Sequence, residues 1–172
     1  ATNGNVVMSA NGVDNSNGLV GALAGSVYIN ANNGTFTNTK GSVQSSNGLT
    51  IKNVSALDNT AGILADTDSG AVNITAASLN NITGAYNATT SGGVISSRAG
   101  ALNLALTGAL NNSGLINAGK DSSAQTAQLN IGGAFDNSGT IQSTADLVFN
   151  FLGSATQNNS ATGKLVAGNN LT

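Results

Sequence analysis

One recurring phrase constrains this chain more than any other feature. It consists of an apolar residue, a free residue, an asparagine, a glycine two or three positions later, and then another apolar residue. The clearest copy is GALNNSGLINAG at residues 108–119, where Leu110 is the apolar position, Asn112 the asparagine, Gly114 the turn and Ile116 the next inward side chain. Altered copies run from Val13 through Asn15 and Gly18 to Val20, from Phe36 through Asn38 and Gly41 to Val43, and from Leu57 through Asn59 and Gly62 to Leu64. Two more run from Leu79 through Asn81 and Gly84 to Tyr86, and from Phe135 through Asn137 and Gly139 to Ile141. A weaker seventh joins Thr156, Asn158, Gly163 and Leu165. The ladder Asn15, Asn38, Asn59, Asn81, Asn112, Asn137 and Asn158 therefore advances in steps of 23, 21, 22, 31, 25 and 21 residues. Units this short cannot bury an apolar face alone, and a period in the low twenties specifies a solenoid.

A second set of marks keeps the same phase. Val27-Tyr28-Ile29, Leu49-Thr50-Ile51, Val72-Asn73-Ile74, Leu102-Asn103-Leu104, Leu129-Asn130-Ile131 and Phe149-Asn150-Phe151 each read apolar, variable, apolar. This is the period-two signature of a strand with one buried face. The 3.6 period of a helix is absent. The chain has no proline, as stacked parallel strands require, because proline cannot donate to a ladder. The expected fold is all-β: a single right-handed parallel β-helix over residues 1–172, of about seven coils. An eighth unit is expected to begin at Leu171.

The corner residues carry their own physics. Asparagine tolerates left-handed backbone and bonds the local chain, and identical amides one coil apart can bond each other along the axis. The glycine is expected to supply a positive φ. The long step places excess residues in a loop at 87–100, and a smaller excess falls at 120–126; in solenoids such insertions bulge from one face.

These features resemble the haemagglutinin-type repeats of two-partner-secreted exoproteins, which include filamentous haemagglutinins, adhesins and toxin-carrying proteins of contact-dependent growth inhibition. The resemblance is carried by LNNSGLINAG at 110–119, AFDNSGTIQST at 134–144, LDNTAGILA at 57–65 and KLVAGNNLT at 164–172, and covers nearly the whole chain. It implies a secreted or bacterial cell-surface stalk exported through an outer-membrane partner transporter. The family's amino-terminal secretion domain is not evident in these residues, so the resemblance implies an interior repeat segment of a longer chain. The 31-residue step and the corner at Thr156 depart from the pattern, and regular stacking is expected to be weakest there.

Other classes find less support. Net charge is −2 with five cations and no basic cluster, which removes the electrostatic footprint of a nucleic-acid binder. The longest mainly apolar run, residues 18–29, falls short of the roughly 20 residues of a membrane-spanning helix. Histidine, cysteine and glutamate are absent. The seven aspartates are dispersed, so no acid/base pair, metal site or cofactor is expected. Asp66, Asp68, Ser69 and Gly70 are similar to part of a calcium loop but lack its later carboxylate. A receptor or glycan contact, if the chain makes one, is expected in the two loops, through Asn87, Arg98, Lys120 and Asp121. Asn87 also heads a glycosylation sequon, and Tyr28 and Tyr86 are the tyrosines able to stack on a sugar. Open coil ends predict end-to-end association.

Overall fold

In the computed structural model, residues 1–120, 123–153 and 156–172 are described. They form a parallel β-helix of seven coils, each giving one strand to each of three seven-stranded parallel sheets, with no helix among the described residues. The first sheet holds Val6–Ser9, Val27–Asn30, Leu49–Val54, Val72–Ala76, Leu102–Leu106, Ala127–Ile131 and Leu147–Phe151. The second holds the corner strands, from Val13–Asp14 to Gln157–Asn159, and the third runs from Leu19–Ala22 to Lys164–Ala167. At a spacing of ~4.8 Å, seven coils make a rod about 34 Å long.

Alternation along each strand places every second side chain in the interior, and parallel register then lines up equivalent residues along the axis. On the first sheet, Ile29, Ile51, Ile74, Leu104 and Leu129 form one buried column. On the third, Val43, Leu64, Ile95, Ile116 and Ile141 form another. The motifs at Leu129 and Phe149 sit two residues further along the sheet than those before them, since Leu129 pairs with Leu104 and Phe149 with Leu129. An offset of two keeps the same face inward. The last coils are filled by rings instead of branched chains: Phe135 lies 5.4 Å from Phe149, and Phe149 stacks on Phe151 at 5.7 Å.

The long fourth step is built differently from the expectation. The extra residues lie at 82–92, where Gly84–Ala85 and Ser91–Gly92 pair antiparallel in a small hairpin between the second and third sheets. Val94–Ser97 is a regular strand of the third sheet, so the loop does not extend to residue 100. The corner glycine of this coil is Gly93, and the next inward side chain is the fully buried Ile95. Gly84 belongs to the hairpin, and Tyr86 is half-buried there, outside the core. The predicted excess at 120–126 does fall in the link between Leu115–Ala118 and Ala127–Ile131, with Ser123 and Gln125 tethered to Thr144. The final coil does give way to a new strand position: Leu171 bridges to Leu147 in parallel.

Corner glycines are required chiefly for want of room; of them only Gly93 has the expected positive φ, 75°. In the first three coils the left-handed residue is the one before the glycine, namely Asn17, Lys40 and Ala61, with φ of 56°, 52° and 54°. A Cβ on Gly41 would stand 2.1 Å from the Asn15 carbonyl oxygen, and one on Gly62 2.1 Å from that of Asn38. Both neighbours are backbone and cannot move aside. Gly62→Ala is therefore expected to lower stability by several kcal/mol, as overpacking at rigid sites does. The exposed Lys40→Gly should raise it by about 1 kcal/mol by relieving left-handed strain. Urea denaturation of the two variants checks both signs.

Candidate functional site

The most specific polar arrangement in the molecule runs along its axis. Asn15, Asn38, Asn59, Asn81, Asn112 and Asn137 are buried at the corner between the second and third sheets. Each Nδ2 donates to the Oδ1 of the next, at 2.7–2.8 Å through every link. The second proton of each amide turns to a backbone carbonyl across the corner, such as Ile63 for Asn38, Val94 for Asn59 and Leu115 for Asn81. Donors and acceptors are thus matched in a dry interior, where an orphan would be expensive. The same amides explain the glycines, since a Cβ at Gly41 would also meet Asn38 Oδ1 at 2.4 Å and Asn15 Nδ2 at 2.9 Å. The corner asparagines are not among the residues with positive φ. Axial stacking of amides, and not left-handed geometry, is what selects them.

The seventh rung is Asn159, one residue beyond the expected Asn158. Gln157 pairs with Phe135, Asn158 with Asp136 and Asn159 with Asn137, so a single-residue shift puts Asn158 on the outer face. There its Nδ2 donates to Asp136 Oδ1 at 3.1 Å. The apolar position of that coil is held by Gln157 rather than Thr156, which is why the phrase reads weakly at this corner.

The aspartates that might carry chemistry are engaged in the corners. Asp14 accepts from the Ser16 hydroxyl at 2.5 Å and its N–H at 2.8 Å. These bonds, the hydroxyl's first, hold the Asp14 carboxyl below its ordinary range. Asp58 caps Thr60 in the same way. Asp66 is buried, and its two oxygens accept from the Ser45 hydroxyl and from the N–H groups of Gly48, Asp68 and Gly70. Four donors on one carboxylate tie a turn together and leave little for a cation.

The four expected ligand residues do not form one site. Asn87 lies at the hairpin tip, where its Oδ1 accepts from Thr89 and Thr90. Arg98 follows strand Val94–Ser97, at the other end of that strand from the hairpin, reaching back to the Thr67 carbonyl. Lys120 is beside it, and both line a polar cleft of about 390 Å³ with Thr67, Ser96 and Asp66. Asp121 lies outside the described residues. The face of Tyr28 carries the Lys52 ammonium 5.1 Å from the ring centre, a cation–π contact that engages it.

One feature escapes the sequence reading. A groove of about 500 Å³ runs along the axis beside the first sheet, with Val54, Ala76, Ala77 and Leu106 in its floor and Asn33 and Leu152 towards its ends. Its only signal is the run of small residues where the first sheet turns into the second, too common a pattern in this chain to stand out.

No family model, curated protein or solved structure matches the chain.

Asn59→Leu should leave Asn38 Nδ2 and Asn81 Oδ1 without their axial partners, and is expected to lower stability by roughly 2–6 kcal/mol. Asn158→Leu, on the outer face, should change it by no more than about 0.5 kcal/mol. Thermal and urea melts of the pair test the assignment of the last rung at the same time.

Proposed function

We propose that this chain is a stalk segment, whose stacked coils hold a distal adhesive or toxic part of a large exported protein away from a bacterial surface. The observation that supports this most directly is the unbroken axial bonding. Seven rungs of side-chain amides and three seven-stranded ladders pass through the 31-residue step without losing register. A structure in which every coil is bonded to both neighbours resists bending and extension along its axis, and its stability grows with coil number by nearest-neighbour terms. The resemblance to haemagglutinin-type repeats supports the same reading and adds the proposed export route, through an outer-membrane partner transporter. No chemistry of its own is proposed for the segment. No helix among the described residues is long and apolar enough to cross a membrane.

The second reading is a binding module. It is favoured by the convergence of Arg98 and Lys120 on one polar cleft, in a chain that holds only five cations. Such a cleft has the size of a small-ligand site and a charge suited to an acidic sugar or carboxylate on a surface receptor.

Binding to cells and to a glycan panel separates the two. The intact chain, a form lacking the hairpin at 84–92, and the double variant Arg98→Ala, Lys120→Ala should all melt cooperatively and show no saturable binding if the segment is a spacer. Saturable binding by the intact chain that the double variant loses would establish the module instead.

A further inference from the structure

Thr67, Arg98 and Lys120 follow the third-sheet strands Ile63–Asp66, Val94–Ser97 and Leu115–Ala118, on three consecutive coils. Backbone bonds fix the stack: the Arg98 N–H donates to the Asp66 carbonyl at 3.1 Å, and the Lys120 N–H to the Arg98 carbonyl at 2.8 Å. Two cationic side chains therefore leave the rod one coil apart, a step of about 4.8 Å, beside a cleft that Ala65 and Asp66 also line. One guanidinium N–H holds Arg98 to the Thr67 carbonyl at 3.4 Å. The exposed Lys120 ammonium and the half-buried Ser96 hydroxyl have no protein partner among the described residues. The Asp66 carboxylate is occupied by Ser45, Gly48, Asp68 and Gly70, so it contributes negative charge to the cleft without engaging either cation. Two cations and one carboxylate leave the described lining with a single positive charge.

We propose that this cleft binds the terminal acidic sugar of a glycan, one carboxylate bridging Arg98 and Lys120 while a ring hydroxyl meets Ser96. The assignment rests on the binding-module reading and narrows it to one ligand class. The planar guanidinium fork matches a carboxylate, and a monoanion matches the net charge of the lining. A dianion such as a phosphate monoester would set its second charge against Asp66, and like charges brought together are costly. A polyanionic chain fits poorly for another reason: it needs cations in sequence along its length, and the other three of the five stand elsewhere. Lys52 lies in the first sheet over Tyr28, while Lys40 and Lys164 stand at the opposite margin of the third sheet, the one before Ser42–Ser45 and the other at the start of Lys164–Ala167. The volume of about 390 Å³ is near the lower end of small-ligand sites, about 300–1,000 Å³, which suits a terminal residue and not a polymer segment.

Titration of the isotope-labelled chain, followed by NMR, tests this. The probes are methyl glucuronide and the methyl glycoside of N-acetylneuraminic acid as terminal acids, methyl glucoside as the neutral counterpart, and dextran sulfate as the polyanion. Saturating shifts at Thr67, Ser96, Arg98 and Lys120 are expected with at least one of the acids and not with methyl glucoside. Lys120→Ala should weaken that binding by about tenfold or more, and Ser96→Ala by about fivefold. Acetate carries the carboxylate without a ring hydroxyl, so its weaker binding should be lost in Lys120→Ala and unchanged in Ser96→Ala. Both side chains point out of the core, and thermal melts of the variants confirm that the fold is kept. Absence of saturating shifts with both acids overturns the assignment, as does equal or tighter occupation of the cleft by methyl glucoside or dextran sulfate. The two failures separate: cell or glycan binding that Arg98→Ala, Lys120→Ala loses keeps the module while the assignment falls, and absence of all binding removes both.

Discussion

The structure depends on one interaction, the axial stack of asparagine amides and the glycine beside it. Each amide uses one proton along the axis and the other across the corner, so a coil is tied at once to its neighbour and to its own turn. The geometry leaves no volume for a Cβ next to the stack, and glycine follows from asparagine for that reason. Because side chains in a strand alternate with period two, a slip of one residue would turn the amide out to solvent and an outward residue in. The ladder thus fixes the register of the second and third sheets that flank it, while the first sheet accommodates a one-residue shift between Leu49–Val54 and Val72–Ala76 with the ladder intact.

Register held at a corner leaves other parts of each coil free to vary. The hairpin at 82–92 leaves the coil after Asn81 and returns at Gly93, and Asn81 still donates to Asn112. Leu115–Ala118 and Ala127–Ile131, on either side of the longer link, likewise stay paired with their neighbours. The interior shows the same tolerance: branched aliphatic columns give way to a cluster of phenylalanines in the last two coils without change of register. A solenoid built in this way can carry surface variation at little structural expense. That property suits a spacer, and equally a scaffold on which a cleft such as that at Arg98 and Lys120 could be varied.

Much of this was legible in the sequence because two independent periods agree. The strand alternation and the asparagine spacing both predict a coil of about 22 residues, and the absence of proline is consistent with three ladders. What misled the reading were glycines and asparagines in excess of those the ladder uses. Gly84 lies at the expected distance from Asn81, yet the hairpin inserts before the true corner at Gly93, and only the buried Ile95 two residues later distinguishes them. Adjacent asparagines at 158 and 159 are equivalent by composition, and Gln157 in an apolar column removed the cue that would have separated them. General grounds place the positive φ on the corner glycine, which holds at Gly93 but not at the other corners. In the first three coils it falls on Asn17, Lys40 and Ala61, because the space beside the amides, not the backbone angle, is the scarcer resource. The meeting of Arg98 with Lys120 depends on which residues face one another across coils, a relation that spacing alone does not reveal.

The measurement that bears most directly on this account is hydrogen exchange of the asparagine side-chain amides, resolved by NMR in a chain of 16.7 kDa. If the stack organises the fold, the Nδ2 protons of Asn38, Asn59, Asn81 and Asn112 exchange as slowly as the buried backbone amides, and those of Asn158 exchange at the rate of a solvated side chain. Fast exchange along the ladder, or protection at Asn158, would contradict it and place the register in other hands.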